Sequence, residues 1–570
     1  MTRLTPSPST NTPNVPHSVD VSSSQPIFET ISYQQCRTAL LQRKEIALLD
    51  VREEAPFAEA HPLFAANMSL SRIELDSAAR IPRLDTLIVV YDDGEGLARN
   101  AAQRLQQLGY SNIKLLDGGL AGWRSAGGEI FRDVNAPSKA FGELVDVQRH
   151  TPSLSAPEVQ ALLNANADVV VLDARRFDEY NTMSIPTGIS VPGAELVLRV
   201  QQLAPRPETR VIVNCAGRTR SIIGTQSLVN AGIPNPVSAL RNGTIGWTLA
   251  GQTLDTRKTR QFADSGSLSP EDHAQAQRAA RKVADKARVS RVSLQDESQT
   301  LIEWKKDNTR TTYRFDVRTP EEYAAGHLPD FRSAPGGQLV QETDHAAPVR
   351  GARIVLSDDD GVRANMTASW LAQMGWEVFV IDGAGPQDFT QQGTNADNDQ
   401  AFLPPVPTAN SVTAQGLAAW LENDLPSNAA EGETVILDFT SSANYVKHHI
   451  PGAWFALRSQ LAAALDNVPP ACRYVLTCGT SLLARYILKD LQALTTTPVW
   501  LLEGGTSAWI AAGLPQESGE SALASPRIDR YRRPYEGTDN PAAAMQAYLD
   551  WEYGLVDQLA LDGTHGFFVI

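Results

Sequence analysis

Cysteine is scarce in this chain, and the few thiols present are not spaced to cross-link it. Of 570 residues only four are cysteines, namely Cys36, Cys215, Cys472 and Cys478, and no two of them have CxxC spacing. Four thiols in so long a chain do not make a disulfide framework. We therefore expect reduced cysteines and a cytoplasmic location.

Long apolar runs and an excess of positive charge are also lacking. No apolar stretch approaches the length of about 20 residues that crosses a bilayer, and the first residues lack the charged and apolar regions of a signal peptide. The formal charge is −15, from 65 acidic and 50 basic residues. An acidic chain of this kind argues against nucleic acid or an anionic membrane as its partner. Its apolar content of 42% is ordinary for a globular protein.

The sequence does contain one pattern that occurs four times. A β-rich run ends in Asp, a second apolar run ends at a polar loop, and a third short run closes on Gly. The aspartates are Asp50, Asp173, Asp316 and Asp438, and the glycines are Gly118, Gly243, Gly383 and Gly504. Apolar residues at helical spacing lie between the second and third runs, at 98–108, 222–231, 364–374 and 483–494. Strands of this kind alternating with helices predict a parallel sheet covered on both faces.

The repeats divide the chain into four α/β units of the doubly wound type. The units are predicted to span residues 26–135, 150–256, 296–395 and 408–516. Outside them we expect a disordered lead-in at 1–25, an exposed helical connector at 265–295, and a helical tail at 517–570 that packs back on a domain or binds a partner. The wider gap between units two and three suggests two tandem pairs joined by the connector.

The residue directly after the second apolar run is the candidate for chemistry, because ligands bind at the carboxyl ends of parallel strands. In chain order it is Asp92, Cys215, Asp358 and Cys478. A carboxylate repels an anionic substrate, and further aspartates follow Asp92 and Asp358. We therefore expect units one and three to be inactive. No histidine pattern accompanies these carboxylates, so we expect neither a metal nor a cofactor.

Cys215 lies in a loop that favours a reactive thiolate. It precedes a helix, and Arg218 and Arg220 follow it closely. Backbone N–H groups curled around the sulfur, the helix terminus and two fixed cations would lower the thiol pKa below its usual value of about 8.5. The same cationic loop would bind a small dianion. A thiolate with an anion site is what double displacement on an anionic sulfur donor requires, with cyanide or a thiol as acceptor.

Several motifs together resemble the rhodanese family. In unit two they are Asp173-x-Arg175, Cys215-x-x-x-x-Arg220-Ser221 and Asn242-Gly243-x-x-x-Trp247, and parts of them recur in the other units across most of residues 26–515. The resemblance implies tandem doubly wound domains that cycle a cysteine persulfide beside inactive copies. It implies a thiosulfate-type sulfurtransferase, with Cys215 as nucleophile and substrate-binding residues Arg175, Arg218, Arg220 and Ser221. We also interpret Asp173 and Arg175 as a structural ion pair.

The loop of unit four differs. Cys478-Gly-Thr480-Ser481 contains no arginine and resembles the loop of 3-mercaptopyruvate sulfurtransferases, in which hydroxyls replace the basic residues. The resemblance makes Cys478 a second possible catalytic residue, with Thr480, Ser481 and Arg458 binding the donor. Because no cation lies near Cys478 in sequence, a purely structural cysteine is the alternative.

Two interpretations of the chain as a whole remain open. It is either an enzyme or a sulfur-relay scaffold, in which unit two exchanges persulfide with a partner protein and the aspartate-bearing units are docking modules. A phosphatase is disfavoured, because the phosphatase relatives of this family carry a loop one residue longer than that from Cys215 to Arg220. We expect Cys36 to be a packing residue, and Cys472 to lie at the opposite end of a strand from Cys478.

Overall fold

Four sheets, each built from one repeat of the sequence pattern, form the framework of the structure. The computed structural model describes residues 27–262, 268–399, 402–423 and 433–570, so the lead-in predicted at 1–25 lies outside the described residues. Within each repeat the three apolar runs are strands and the stretch before the third run is a helix. The predicted four tandem α/β domains are thereby confirmed.

The elements follow the same order in each unit. Unit one contains β1 Thr30–Ile31, α1 Tyr33–Leu41, β2 Ile46–Asp50, α2 Glu54–Glu59, β3 Ala66–Asn67, α3 Ile73–Arg80, β4 Ile88–Tyr91, α4 Leu97–Gln107, β5 Ile113–Leu116 and α5 Gly119–Ser125, and α6 Ala136–Arg149 follows it. Unit two contains β6 Ser153–Leu154, α7 Ala156–Asn164, β7 Val169–Asp173, α8 Phe177–Thr182, β8 Ile189–Ser190, α9 Leu196–Leu203, β9 Arg210–Asn214, α10 Thr219–Ala231, β10 Val237–Leu240 and α11 Gly243–Leu249.

The second half of the chain repeats this order with additions. After α12 Pro270–Lys286, unit three contains β11 Ser290–Ser293, α13 Leu294–Lys306, β12 Thr312–Asp316, α14 Pro320–Ala325, β13 Arg332–Ser333, α15 Gly336–Gln341, α16 Thr343–Ala346, β14 Val349–Arg350, β15 Arg353–Ser357, α17 Arg363–Gln373, β16 Glu377–Asp382 and α18 Asn395–Asp399. Unit four contains β17 Ser411–Val412, α19 Ala414–Asn423, β18 Glu433–Asp438, α20 Ser442–Lys447, β19 Trp454–Phe455, α21 Leu461–Asp466, β20 Ala471–Thr477, α22 Leu482–Gln492, β21 Val499–Leu502 and α23 Gly505–Ala511. The tail holds α24 Ala542–Tyr553 and α25 Leu555–Asp562.

The strand order places the second apolar run of each unit near the middle of its sheet. In unit two the order is β6-β10-β9-β7-β8, and units three and four repeat it as β11-β16-β15-β12-β13 and β17-β21-β20-β18-β19. All of these pairings are parallel. Central strands covered by helices on both faces are buried along most of their length, which explains their continuous apolar runs.

The sheet of unit one is completed by a strand from unit three. Val349 and Arg350 of β14 pair antiparallel with Ala47 and Ile46 of β2, on the side where β3 pairs with Leu49 and Asp50. Nothing in the repeat pattern predicts this strand, because it lies in an insertion between β13 and β15. This strand pairing joins unit one to unit three, which are far apart in sequence.

The connector and the boundary of unit three differ from the expectation. The sequence predicts an exposed helix α12, but its alanines Ala276, Ala280 and Ala284 are buried in a core shared with units two and three. Charged residues alternate with the small ones along this helix, so the sequence does not show a clear apolar face. Unit three also begins earlier than the predicted residue 296, since β11 pairs with β16 at Ser290–Ser293 and belongs to its sheet.

The units associate in pairs that the spacing does not predict. Units two and three pack together, where Arg363 binds Glu195 at 2.8 Å and Trp370 Nε1 donates to Ser227 Oγ at 2.9 Å. Units one and four meet through the matching short helices Leu70–Arg72 and Arg458–Gln460. The suggested arrangement of one tandem pair followed by another is therefore incomplete, because each half of the chain packs on the other half.

Arg458 forms the main polar link between units one and four. Its guanidinium donates to Glu74 at 2.9 Å and to Asp490 at 2.7 Å, and its side chain is 2% exposed. The prediction that Arg458 binds a donor carboxylate is wrong, because the carboxylates of the protein itself occupy its donors.

The chain between and after the repeats packs against itself. Helix α6 follows unit one, and the tail helix α25 contacts it through Leu555 and Leu559, which join the cluster around Phe131 and Ala140. The tail therefore packs back on the domains. Among the described residues, no helix is long and apolar enough to cross a membrane.

Substitution of Arg458 by Met should weaken the association of units one and four. Removing one partner of a buried ion pair leaves the other charge uncompensated and costs about 3–5 kcal/mol. We expect a clearly lower midpoint of urea unfolding for Arg458→Met. The matched control is Arg176→Met, since Arg176 of unit two is 53% exposed in its pair with Asp178 and such pairs contribute about 0–1 kcal/mol. Equal midpoints for the two variants would contradict this assignment.

Candidate active site

Four residues occupy the same structural position, directly after the second strand of each unit. Asp92, Cys215, Asp358 and Cys478 follow β4, β9, β15 and β20, and each is at most 8% exposed. We call the loops that begin at these residues the strand-end loops. Each loop leads into a helix, so backbone N–H groups that lack helical partners surround its first side chain.

The two aspartates show what a strand-end loop binds. The Asp92 carboxylate accepts N–H groups from Gly94 at 3.1 Å and Ala98 at 2.9 Å. The Asp358 carboxylate accepts the corresponding groups from Gly361 at 3.1 Å and Ala364 at 2.8 Å. Each carboxylate thus fills its own anion-binding loop.

The loop of Cys215 is held in place by the start of α11. Thr244 N donates to the Cys215 carbonyl at 2.9 Å, and Ile245 N donates to the Ala216 carbonyl at 3.0 Å. Gly243 makes this approach possible, because its φ is +55° and a Cβ there would lie 2.3 Å from the Cys215 oxygen. The glycine that closes the third run is therefore required by close packing as well as by turn geometry.

Ser221 and Arg220 are the groups that favour a thiolate at Cys215. The hydroxyl and the backbone N–H of Ser221 both act to lower the Cys215 pKa, as does the charge of Arg220. Arg220 is fixed by a bidentate pair with Glu179, at 2.8 and 2.7 Å. Against the effect of burial, Arg220 lowers the pKa of Glu179 to about 2, so this pair stays ionised at neutral pH.

Arg218 does not face the sulfur. Its guanidinium donates to Glu143 at 2.7 Å and to Asp146 at 2.9 Å, both on α6, and its carbon Cζ lies 4.2 Å from the centre of the Tyr553 ring. The expectation that both arginines flank Cys215 therefore holds for Arg220 alone. Helix α6 lies outside the repeat pattern, and its two carboxylates turn Arg218 away.

The tail covers the strand-end loop of Cys215. A Cβ on Gly217 would lie 3.1 Å from the Tyr548 ring and 3.2 Å from Glu552 Oε2, so α24 lies directly on the loop. Tyr548 donates to Glu552 Oε1 at 2.8 Å. Burial and the nearby Glu143 raise the pKa of Glu552 to about 8, and its Oε2 lacks a hydrogen-bond partner. No sequence motif indicates these residues.

The pKa of Cys215 is raised, not lowered as the loop chemistry suggests. Burial is the largest cause, since the residue is 2% exposed beneath the tail. Arg220 and Ser221 oppose this effect, whereas the carboxyl of Glu552 adds to it. The expected lowering of the pKa requires an open loop with two free arginines beside the sulfur. In the structure Arg220 acts on Cys215 but is paired with Glu179, and Arg218 is bound to Glu143.

Arg175 forms an ion pair with Asp173 and also lines a cavity. It donates to Asp173 at 2.8 and 2.7 Å and to the Met183 carbonyl at 2.6 Å, which is the structural ion pair expected from the sequence. It also lines a cavity of about 1200 Å³ together with Arg220. Arg220 therefore contributes both to the environment of Cys215 and to the wall of this cavity.

The loop of Cys478 has N–H groups but lacks a cation. Burial raises the pKa of Cys478, while the backbone N–H groups of Ala484, Thr480 and Leu483 oppose that shift. The hydroxyl of Ser481 donates to the Leu502 carbonyl, and the roles of Ser481 and Thr480 in binding a donor remain predictions. Cys472 lies at the start of β20 and Cys478 directly after its end, as expected. Cys36 is a buried residue of α1.

Unit three contains an arginine that the motifs of unit two should have revealed. Arg363 follows Asp358 at the spacing by which Arg220 follows Cys215, and it binds Glu322 at 2.6 Å as Arg220 binds Glu179. The strand-end loop of unit three therefore has a fixed cation in addition to the aspartates that follow Asp358. The matching spacing Asp316 to Glu322 and Asp173 to Glu179 was the available signal.

The comparisons with known proteins agree with this geometry. The model of the rhodanese-like domain matches residues 34–126, 155–250, 297–385 and 418–512, and the chain belongs to that family. It is a rhodanese-type transferase with four such domains in tandem.

One solved structure resembles nearly the whole chain. The crystal structure of a thiosulfate sulfurtransferase from Pseudomonas aeruginosa is 66% identical, with a TM-score of 0.91 over 95% of this chain and 100% of its own. An uncharacterised protein of Synechocystis is 32% identical over 17% of this chain and 54% of its own length. Thiosulfate sulfurtransferase GlpE of Tolumonas auensis is 29% identical over 17% of this chain and 89% of its own.

Substitution of Gly243 by Ala tests the close packing behind Cys215. Any L-residue at positive φ costs about 1 kcal/mol or more, and here the added Cβ also overlaps the Cys215 carbonyl. We expect Gly243→Ala to lower the unfolding midpoint and to change the reactivity of Cys215. The control is Gly251→Ala, which has φ +72° but nothing within 4 Å of the new Cβ. Equal effects would contradict the packing role.

The pH dependence of Cys215 alkylation tests the role of Arg220. Because only the thiolate reacts, modification by iodoacetamide should rise with pH and reach its midpoint above the ordinary thiol range. Arg220→Gln removes a cation that favours the thiolate, so its midpoint should shift further upward. Arg206→Gln, at a 68% exposed position of unit two, should match the wild type. Peptide mapping separates Cys215 from the other thiols, and a downward shift in Arg220→Gln would refute the assignment.

Proposed function

We propose that the protein transfers the outer sulfur of thiosulfate through a persulfide on Cys215. The observation that carries this proposal is that, in the described structure, only Cys215 combines a thiol, the N–H groups of a strand-end loop and an adjacent fixed arginine. The similarity to a thiosulfate sulfurtransferase over nearly the whole chain supports the choice of donor.

In the first half-reaction the Cys215 thiolate attacks the outer sulfur of thiosulfate. The new S–S bond forms as the old one breaks, and sulfite leaves with the bonding electron pair. Arg220 provides a fixed positive charge beside the reacting dianion, and its pair with Glu179 keeps it in position. Ser221 favours the thiolate before attack and again when Cys215 is released.

In the second half-reaction cyanide or an acceptor thiolate attacks the outer sulfur of the persulfide. The S–S bond breaks and its electrons return to Cys215, which restores the thiolate for another cycle. We assign Arg175 to the wall of the donor pocket, behind Arg220, and Arg218 to anchoring the loop on α6 rather than to binding the donor.

We propose that Cys478 does not react with thiosulfate. Leu483 occupies the position that Arg220 holds in unit two, and nothing in the loop offsets the charge of a dianion. The backbone N–H groups of Ala484, Thr480 and Leu483 are the polar groups with which this loop surrounds the Cys478 sulfur. All four cysteines are free thiols, which favours the reducing setting of the cytoplasm.

Cysteine substitutions separate the two candidate nucleophiles. Thiosulfate:cyanide transfer should fall to the uncatalysed rate in Cys215→Ser and persist in Cys478→Ser, because only Cys215 lies beside a fixed cation. Intact-mass spectrometry after thiosulfate treatment should show the gain of one sulfur atom, mapped to Cys215. A gain mapped only to Cys478, or no gain on either thiol, would overturn the proposal.

A further inference from the structure

A large chamber adjoins the site of Cys215, and several parts of the chain build its wall. Its volume is about 1200 Å³, and Arg220 of unit two, Gln341 of unit three, Lys447 of unit four and Arg530 of the tail all line it. We call this space the chamber. Single small-ligand pockets usually occupy about 300–1000 Å³, so the chamber exceeds what a thiosulfate ion or cyanide needs.

The chamber wall is rich in arginine. Cationic side chains outnumber acidic ones along it, although the chain as a whole carries a charge of −15. Arg527, Arg530, Arg532 and Arg533 come from one short stretch of the tail, which has neither helix nor strand. An extended row of cations on an acidic protein is a local site for an anion that is itself extended.

Two ion pairs of this row are open to exchange. Arg530 binds Glu536 and Arg532 binds Asp539, and both arginines are about half exposed, at 48% and 54%. Exposed pairs of this kind contribute little to stability, so carboxylates of a ligand can replace the internal partners at little cost. Arg220 differs, because it is only 13% exposed in its pair with Glu179.

The chamber also lies next to the strand-end loop of Cys215. Arg220 is part of its wall, and the same charge acts on Cys215. Tyr535 lines both the chamber and a neighbouring cavity of about 320 Å³ that reaches Thr244, the residue bonded to the Cys215 carbonyl. A ligand held in the chamber therefore lies next to the strand-end loop of unit two.

We propose that the chamber binds an acidic peptide segment that carries the acceptor thiol. The inference rests on the proposed function and names its second substrate by chemical class. The acidic side chains of the peptide pair with the tail arginines, and its cysteine thiolate attacks the outer sulfur of the Cys215 persulfide. The bond between the two sulfurs breaks, its electron pair returns to Cys215, and the peptide leaves as a persulfide.

Acceptor kinetics with matched peptides test this proposal. The probes are a nine-residue peptide with one cysteine among glutamates, the same peptide with lysines instead, and glutathione. With thiosulfate as donor we expect kcat/KM for the acidic peptide to exceed that of the lysine peptide and of glutathione by about tenfold or more, with the preference falling as salt is added. Equal values for the peptides, or for the acidic peptide and glutathione, would overturn the proposal.

Variants connect the preference to the chamber. Arg530→Gln combined with Arg532→Gln should reduce the preference for the acidic peptide by about threefold to tenfold. Arg281→Gln removes an arginine that is also half exposed and ion-paired, on α12 outside the chamber wall, and should keep the preference. Circular dichroism and thermal melting check that the double variant folds. An unchanged preference in a folded double variant would refute the role of the tail arginines.

A separate loading step distinguishes failure of this inference from failure of the proposed function. If thiosulfate adds no sulfur to Cys215, the proposed donor is wrong. Inorganic polysulfide then serves to form the persulfide, since the thiolate takes one sulfur from it and releases the shortened polysulfide. The peptide preference is measured on that persulfide, and its presence or absence decides the inference alone.

Discussion

The structure depends on the convergence of backbone N–H groups at the end of the second strand in each repeat. These groups need an electron-rich partner, and the residue after the strand provides it. Asp92 and Asp358 do so with carboxylates that accept two N–H groups each, and Cys215 and Cys478 do so with sulfur. One backbone arrangement thus supports either a closed structural loop or a nucleophile, according to a single side chain.

The environment of the loop decides the pKa of the thiol at Cys215. The thiol of Cys215 is buried beneath α24, its cation Arg220 is paired, and Arg218 is held on α6. Burial raises the pKa of the thiol, and the loop by itself does not reverse this effect. The environment of Cys215 is therefore a property of the assembled chain, because a helix outside the repeat and the tail both contribute to it.

Elements that follow from the repeating pattern were predictable, and those that join the repeats were not. Strand ends at Asp173 and Asn214 follow from the alternation of apolar runs and loops, and they place Cys215 correctly. The partners of Arg218 and Arg458 could not be predicted, since Glu143, Glu74 and Asp490 lie in other elements and their positions depend on packing between units. The prediction that helix α12 is exposed failed for a related reason, because alanines form a buried face without a strongly apolar sequence pattern.

The antiparallel pairing of β14 with β2 has a consequence for how the chain folds as it is synthesised. Unit one is complete in sequence long before residues 349–350 exist, and until then Ile46 and Ala47 lack their partner on the outer side of β2, where β3 pairs only with Leu49 and Asp50. Open strand edges pair readily with other chains. Part of the border of the first domain is therefore covered only by a segment that is synthesised about 300 residues after β2.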